Sequence, residues 1–239
     1  MVNLTIFGVG GGDFDVLSYD PGQDFGRFSV SADHSAVTLV ENAWKRVKVD
    51  KTITSDTVMS FEFASTFEGD IHGIGFDTDN DVSTFSQDTF FQLDGPQQYG
   101  LQAFNGAYET GSGFKRYEIR IGDFFTGDFE NLVFNADHDL FPVNPGDPGP
   151  DGDSIFRNIT FTEVPKLEIF GVGGGEFSVL SYDMDQDFGR ASVTADQIGV
   201  TLVENTWKRV EINKTITPDT VMSFEFASTF EGDIHGIGF

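Results

Sequence analysis

Apolar and polar residues alternate over many short stretches of this chain. The segment from Met59 to Ala64 alternates strictly, and so does the segment from Tyr117 to Ile121. Because successive side chains of a strand point to opposite faces of a sheet, this pattern predicts strands with one buried face. No segment shows a sustained apolar period of about 3.6 residues, so the pattern does not predict helices. Further short apolar runs, bounded by Gly, Asn, Asp and Pro, occur at 37–40, 44–49, 71–76, 90–93, 132–134 and 155–161.

Many short strands separated by turn residues are typical of an antiparallel sandwich. The 27 Phe and 28 Gly, set against 4 Met, fit aromatic-rich strands joined by glycine turns. The predicted fold class is therefore all-β, an antiparallel β-sandwich of the jelly-roll type. The chain has no cysteine, which excludes a disulfide scaffold, a thiolate zinc site and a cysteine nucleophile.

The sequence contains an internal repeat with an offset of 239 − 76 = 163 residues. Residues 4–76 align without a gap on residues 167–239, and 15 of the 73 aligned pairs differ, so 58 are identical. The repeat unit is therefore about one domain long, and the chain is predicted to be a tandem repeat of such units. We expect residues 1–165 to form a complete β-sandwich unit and residues 166–239 to form the first, incomplete part of a second.

The incomplete second unit has three interpretations. Half a β-domain leaves unpaired strand edges and an uncovered apolar face, so it needs a partner or further residues. The chain is a window on a longer tandem array, or the half-module is completed by another molecule through exchange of identical elements. The third interpretation is an arbitrary boundary at Phe239.

The charge of the chain is strongly one-sided. Asp and Glu number 39 against 14 Lys and Arg, which gives a formal net charge of -25. Such a field repels phosphate backbones and anionic lipid heads, so nucleic acid is not an expected partner. No apolar run approaches the roughly 18 residues of a membrane span, so membrane insertion is not expected. The excess of carboxylates suits a divalent cation, and calcium is the expected cofactor.

Two groups of acidic residues are candidate metal ligands. Asp137 and Asp139 end an apparent strand, and Asp153 follows a loop rich in Pro and Gly. Calcium takes about six to eight oxygen ligands, which carboxylates and loop carbonyls supply. These three are the leading candidates, and the alternative is a solvated turn, since Asp itself favours turns. Asp147 and Asp151 are held in reserve.

Asp20 and Asp24 are candidates for a second, structural ion site. They recur in the second copy as Asp183 and Asp187, whereas the two residues that follow Asp20 change. Recent duplication also explains identity between the copies.

Candidate carbohydrate-binding residues fall into two sets. Glu68, Asp70 and His72 lie at i, i+2 and i+4 of an apparent strand, so we expect their side chains on one face. Such a row is suited to one of three roles: it forms hydrogen bonds to a sugar, it binds a metal ion, or it supplies the acid and the base of a polysaccharide lyase. The alternative is a polar outward face of a strand.

The second set is aromatic and amide-bearing. Flat aromatic faces bind sugar rings, and amides bind their hydroxyls, usually from loops or a concave sheet. Tyr99 and Tyr108 are the candidates, with Gln97 beside Tyr99 in a glycine-bounded turn. Trp44 is a further candidate, although a Trp in a strand is more often a core residue.

Five segments carry a resemblance to a known family: FEGDIHGIGFDTDN, FQLDGPQQYG, GSGFKRYEIRIG, LVFNADHD and DSIFRNITF. Their succession resembles the non-catalytic β-sandwich modules appended to secreted marine polysaccharide-degrading enzymes, along most of residues 4–163. The last two segments are also similar to calcium-dependent xylan-binding modules, in which an Asn-Asp strand end and an Asp-Arg-Asn return flank the metal. The resemblance implies that calcium in such modules can bind sugar hydroxyls directly.

The leading hypothesis is an extracellular, non-enzymatic, calcium-dependent carbohydrate-binding repeat whose partner is a polysaccharide. Neighbouring weak sites in a tandem array gain affinity by avidity. The alternative is a structural repeat of an extracellular filament or adhesin, assembled with neighbouring copies by exchange of strands or half-modules. A polysaccharide lyase is the second alternative.

Overall fold

The structure is a computed structural model of the 239-residue chain. It describes residues 3–10, 12–67, 69–83, 86–138, 153–172, 175–183, 185–232 and 234–239. Within these ranges there is no α-helix, and the short 3-10 helices are Gln87–Thr89 and Ile121–Asp123. The strands are β1 (Asn3–Thr5), β2 (Asp13–Asp15), β3 (Leu17–Ser18), β4 (Arg27–Val30), β5 (Ala36–Val40), β6 (Ala43–Ile53), β7 (Thr57–Ala64), β8 (Ile71–Asp77), β9 (Phe90–Asp94), β10 (Lys115–Arg120), β11 (Gly127–Asp137), β12 (Asp153–Glu163), β13 (Lys166–Glu168), β14 (Glu176–Ser178), β15 (Leu180–Ser181), β16 (Arg190–Val193), β17 (Val200–Val203) and β18 (Lys208–Arg209).

Two five-stranded antiparallel sheets form the body of the molecule. The front sheet has the strand order β10-β7-β12-β5-β4, and the back sheet has the order β3-β6-β11-β8-β9. Their inner faces bury one apolar cluster to which strands of both sheets contribute. The predicted all-β antiparallel sandwich is therefore confirmed.

The centre of the sandwich is built from phenylalanine rings. Phe156 of β12 lies 5.2 Å from Phe63 of β7 and 5.3 Å from Phe134 of β11, measured between ring centroids. Phe61 stacks on Tyr117 of β10 at 5.3 Å. Aromatic pairs at these separations add to the free energy of area burial, so the alternating Phe residues hold the two sheets together.

A parallel bridge attaches the start of the chain to the front sheet. Phe161 donates its backbone N–H to Phe7 at 2.8 Å, and Phe7 donates its own to Ile159 at 3.1 Å. Gly8 follows with φ +82°, and a Cβ there would lie 1.9 Å from the carbonyl oxygen of Phe161. Only glycine therefore fits this close approach.

Within its described residues, the second copy of the repeat does not form a second sandwich. Residues 166–203 make the hairpins β13–β14 and β16–β17, and β15 pairs with β18. From 210 to 239 the described residues contain no strand. The tandem repeat is thus a feature of the sequence, and the unit boundaries at 165 and 166 stay a prediction.

Identical sequence in the two copies has different surroundings. Residues 219–239 repeat residues 56–76 without a change, yet Phe63 is 0% exposed and its counterpart Phe226 is 65% exposed. In the first copy β7 pairs with β10 and β12, while β8 pairs with β11 and β9. The second segment makes none of these pairings among the described residues. Strand partners, and not local sequence, make β7 and β8 strands.

We predict unequal costs for the same substitution in the two copies. Phe63→Ala should lower the free energy of unfolding by about 3–5 kcal/mol because it leaves a cavity among packed rings. Phe226→Ala should change it by less than about 0.5 kcal/mol. Urea denaturation of the full chain measures both. Equal costs would show that Phe226 is packed in solution.

Candidate functional site

Four residues form one row across the outer face of the back sheet. Trp44 of β6 lies opposite Asn135 of β11, Asn135 lies opposite Gly73 of β8, and Gly73 lies opposite Gln92 of β9. Residues opposite each other in register share a face of the sheet. Trp44 belongs to a second apolar cluster, separate from the main core. The outer face of the back sheet therefore carries its own aromatic layer: Tyr19, Trp44, Ile71, Phe90 and Val133.

Buried Gln92 fastens a loop over this face. Its Oε1 accepts hydrogen bonds from the backbone N–H of Tyr99 at 2.9 Å and from Nε2 of Gln102 at 2.8 Å. Its Nε2 donates to the carbonyls of Gly95, at 3.0 Å, and Gln97. A fully buried amide with both ends satisfied holds the loop in one conformation.

Tyr99 lies on this loop, half-buried above the aromatic layer. Its ring meets Trp44 edge-on at 5.9 Å and Phe90 at 5.4 Å. Phe90 lies flat against β8 because Gly73 has no side chain, and a Cβ there would lie 2.3 Å from the Phe90 ring. Burial raises the pKa of Tyr99 to about 12, so its hydroxyl is neutral and can both donate and accept.

Gln97, two residues before Tyr99, is exposed. Its backbone N–H donates to Asp70 at 3.1 Å. The structure therefore places Gln97 and Tyr99 on one loop, as their spacing in the sequence suggested, and the Tyr99 ring contacts Trp44.

Asn135 carries an unsatisfied amide under this loop. Its side chain is 0% exposed, and neither Oδ1 nor Nδ2 has a hydrogen-bond partner within the described part of the chain. An unpaired buried amide costs about 1–3 kcal/mol. A buried water at this point would recover that free energy. We name Gln97 and Tyr99, together with the buried Trp44 that supports the Tyr99 ring, the Tyr99 surface.

His72 is a core residue, not a surface group. Its Nε2 accepts the backbone N–H of Gly69 at 2.7 Å, and its Nδ1 lies 2.7 Å from Oγ of Ser154. The ring lies 6.0 Å from Phe63, on the inner side of β8. The expectation of a polar outward row on this strand is therefore corrected, because both faces of β8 are buried. Glu68, the first member of that row, lies outside the described residues.

Tyr108 is also buried. Its hydroxyl accepts the backbone N–H of Ser65 at 2.9 Å and donates to the carbonyl of Gly113 at 3.0 Å. The ring packs edge-on against Phe63 at 4.8 Å. In this structure Tyr108 offers no face to a glycan.

The acidic cluster predicted to hold calcium is only partly described. Asp139 lies outside the described residues, as do Asp147 and Asp151. Asp153 uses both carboxylate oxygens in a turn, accepting the backbone N–H of Thr66 at 2.6 Å and its hydroxyl at 2.8 Å. Asp137 ends β11, and its carbonyl accepts the N–H of Asp70 at 2.8 Å.

No group of three or more His, Asp or Glu side chains suited to a metal ion occurs within the described ranges. Calcium at this position stays a prediction.

Asp24 has a lysine as its counterion. Its Oδ2 binds Nζ of Lys45, and its Oδ1 accepts the backbone N–H of Trp44 at 3.2 Å. Both side chains of the pair are nearly inaccessible, at 2% for Asp24 and 7% for Lys45. The second copy repeats the arrangement with Asp187 and Lys208. The ion pair gives Asp24 a structural role in both copies, and an ion at Asp24 stays a prediction.

Asp20 serves a turn. Its Oδ1 accepts the backbone N–H of Gly22 at 2.8 Å, and its Oδ2 accepts that of Val82 at 3.2 Å. Its backbone has φ 46°, a conformation that Asp tolerates better than most residues. These contacts give Asp20 a structural role in the turn, and an ion at Asp20 stays a prediction.

The sequence analysis missed Gln92 and Asn135. Each is a single amide within an apolar run, FQL for Gln92 and FNA for Asn135. Buried amides in such runs are rare unless they make hydrogen bonds. A single amide inside an apolar run was therefore the sequence feature that could have identified both residues as candidates.

Comparison with known proteins gives similarity only at the level of structure. No protein-family model matches the sequence, and no curated protein matches it. A family 29 carbohydrate-binding module complexed with cellulohexaose is 11% identical, with a TM-score of 0.34, over 66% of this chain and 88% of that one. The family 30 module of a cellulosomal cellulase of Clostridium thermocellum is 13% identical, with a TM-score of 0.32, over 68% and 91%.

A glycoside hydrolase domain, Endo-D of Streptococcus pneumoniae R6, is also similar. It is 12% identical, with a TM-score of 0.32, over 80% of this chain and 23% of that one. At TM-scores this low, none of these similarities decides the function. Within the described residues, no helix is long and apolar enough to cross a membrane.

We predict that Asp24→Asn destabilises the protein by about 3 kcal/mol or more, because it leaves the Lys45 ammonium buried without a counterion. Adding Lys45→Met to that variant should recover much of the loss, since an apolar pair replaces an ion pair at little cost. Urea denaturation with and without EDTA measures these effects. A loss of stability in EDTA that the wild type shows and Asp24→Asn does not would instead place a metal at Asp24.

We predict that stability falls on acidification through His72. Burial lowers the pKa of His72, and the nearby His138 lowers it further. The negative charges of Asp94, Asp153 and Asp70 act in the opposite direction but are outweighed. The folded state therefore favours the neutral His72 ring. The contribution of this ring to the free energy of unfolding is complete above the unfolded-state pKa of about 6.5, and it is lost as the pH falls below that value.

His72→Asn should weaken the protein at pH 7.5 but flatten its loss of stability between pH 6.5 and 5. The matched control is His235→Asn, at the exposed counterpart position, which should keep the wild-type slope. An unchanged slope in His72→Asn would contradict the assignment.

Proposed function

We propose that the chain is an extracellular, non-catalytic carbohydrate-binding unit and that it binds a polysaccharide at the Tyr99 surface. The observation that carries the proposal is the placement of Tyr99. A half-exposed aromatic ring and an exposed amide, Gln97, lie on a loop fastened by a buried glutamine. The Tyr99 ring packs edge-on against Trp44, which is buried and supports it from below.

These groups match the chemistry of a sugar ring. The apolar C–H face of a pyranose packs on an aromatic ring, while its hydroxyls need donors and acceptors at the edge. Tyr99 supplies the ring and a neutral hydroxyl. The exposed amide of Gln97 supplies both donors and an acceptor.

The loop is ordered before any ligand arrives. Gln92 fixes it at Gly95, Gln97 and Tyr99, and the Tyr99 ring rests on Trp44. Binding then costs little additional conformational entropy, which favours affinity for a weakly interacting ligand such as a glycan.

The position of His72 supports a binding function over a lyase. His72 was the imidazole in the candidate acid and base row, and it lies in the core with both nitrogens engaged. A general acid or base must reach the substrate directly or through one water, and a fully buried ring does not.

Calcium dependence is part of the proposal. It is supported by the net charge of -25 and by the positions of Asp137, the last residue of β11, and Asp153, the first residue of β12, on either side of the segment rich in Pro and Gly. Calcium would be held there by carboxylate oxygens.

A second candidate function is structural self-association through exchange of strands between copies of the chain. The observation that favours it is the exposure of apolar side chains in residues 219–239, whose sequence is that of β7 and β8. Phe226 would be buried in an exchanged assembly. Phe226→Ala would then cost as much as Phe63→Ala, so the comparison of those two variants also tests this function.

We predict that Tyr99→Ala weakens polysaccharide binding at least tenfold, about 1.4 kcal/mol, because the stacking face is lost. Tyr99→Phe keeps the ring and should lose less. Affinity electrophoresis of the full chain in glucomannan, β-glucan, xylan and alginate gels measures retention, with and without EDTA. Tyr182→Ala removes an exposed tyrosine elsewhere and is the control. No retention of the wild type in any gel, or full retention of Tyr99→Ala, would overturn the proposal.

A further inference from the structure

The outer face of the front sheet carries a second ordered group of polar side chains. Arg116 of β10 lies opposite Glu62 of β7, and Glu62 lies opposite Arg157 of β12. All three project away from the core, because their neighbours Phe61 and Tyr117 project into it. One carboxylate is thus flanked by two guanidinium groups across three adjacent strands.

A β-bulge brings a fourth residue to the same place. The register of β12 against β7 shifts between Arg157 and Thr160, and Asn158 takes a φ of 55°. As a result two consecutive side chains reach Glu62, although neighbours in a regular strand point to opposite faces. Arg157 donates from Nε at 2.8 Å and from a terminal nitrogen at 3.2 Å, and Asn158 donates from Nδ2 at 2.6 Å.

The Arg157 guanidinium is also stacked on an aromatic ring. Its central carbon lies 3.5 Å from the centroid of Phe114. The Phe114 ring is 42% exposed, and the Arg157 side chain is 36% exposed. A guanidinium held by a carboxylate in its plane and by a ring on its face has little freedom left, so its outer edge is a fixed pair of donors.

The group is electrically balanced in a strongly acidic chain. Arg116 lies 3.6 Å from Glu118, so two guanidinium groups and two carboxylates alternate on this face. Glu62 accepts most of its hydrogen bonds at Oε2, which leaves Oε1 with acceptor capacity beside the donor edge of Arg157. A donor edge next to an acceptor matches two neighbouring hydroxyls of a sugar, one accepting and one donating. The net charge of -25 repels an anionic saccharide.

We propose that Phe114, Arg157, Glu62 and Asn158 form a second carbohydrate-binding surface, which takes the vicinal hydroxyls of a neutral polysaccharide. It lies on the opposite side of the sandwich from the Tyr99 surface, because the two sheets turn their inner faces to each other. If the Tyr99 surface also binds a glycan, as proposed above, one unit binds two glycan chains, one on each side of the sandwich.

Hexasaccharide titration of the full chain tests the proposal. Isothermal calorimetry with glucomannan, β-glucan and xylan hexasaccharides should give two sites per chain. Phe114→Ala and Arg157→Lys should each remove one of the two sites or weaken it at least tenfold. Arg157→Lys keeps the charge opposite Glu62 but loses the planar fork, so it separates binding from folding. Tyr99→Ala should remove the other site.

The repeat offers a matched control. Glu62→Gln should weaken the front-sheet site, whereas Glu225→Gln, at the exposed counterpart position, should not. Two sites retained in Phe114→Ala and Arg157→Lys would overturn this proposal and leave the Tyr99 surface standing. Loss of all binding in Phe114→Ala, with Tyr99→Ala unchanged, would overturn the Tyr99 surface instead. Binding of alginate alone would overturn the assignment to neutral glycans.

Discussion

The pairing of β7 with β12 is the interaction on which both the core and the front surface depend. One side of that pairing brings Phe63 against Phe156 in the core. The other side brings Glu62 against Arg157 on the outer face. The repeat shows that this pairing is needed for strand formation. Residues 219–239 have the sequence of residues 56–76 but lack these partners, and they form no strand within the described residues. Non-local partners, not intrinsic propensity, make these residues strands.

Short-range interactions survive in the second copy where long-range ones do not. The pair of Asp187 with Lys208 reproduces that of Asp24 with Lys45. Gly232 also donates to His235 at 3.0 Å, as Gly69 does to His72. These contacts link residues 21 and 3 positions apart, respectively. What the second copy lacks is the packing that buries apolar area, which is the dominant favourable term in folding.

The period-two pattern predicted strands such as β7 and β10, and the glycine-bounded turn predicted the Tyr99 loop. The pattern did not place His72 correctly, because this polar residue lies on the inner face of β8 and its partner Ser154 comes from a distant strand. The pattern also gave no sign of the bulge at Arg157, where a shift in register places two consecutive side chains on one face. The partnership of Asp24 with Lys45 was hidden because it depends on how two separate segments pair.

The two outer faces differ in how they are kept ready for a ligand. On the front face Glu62 and Arg157 are partly exposed, and ion pairing and stacking around Arg157 fix these side chains. The back face is covered by a loop, and its polar group, Asn135, is buried. Asn135 is also tied to the front sheet, because its backbone carbonyl accepts the hydroxyl of Ser154 at 3.0 Å.

Ser154 in turn joins His72, so a buried polar chain crosses from β12 to β8 and β11 beneath the Tyr99 surface. Each member of this chain has one geometry that satisfies its hydrogen bonds, and a sliding sheet would leave buried donors unpaired. The apolar rings hold the sheets together without strict registry, since hydrophobic contact is not directional. The chain of His72, Ser154 and the Asn135 backbone therefore sets how the back sheet lies on the front sheet, and with it the position of the Asn135 amide under Tyr99.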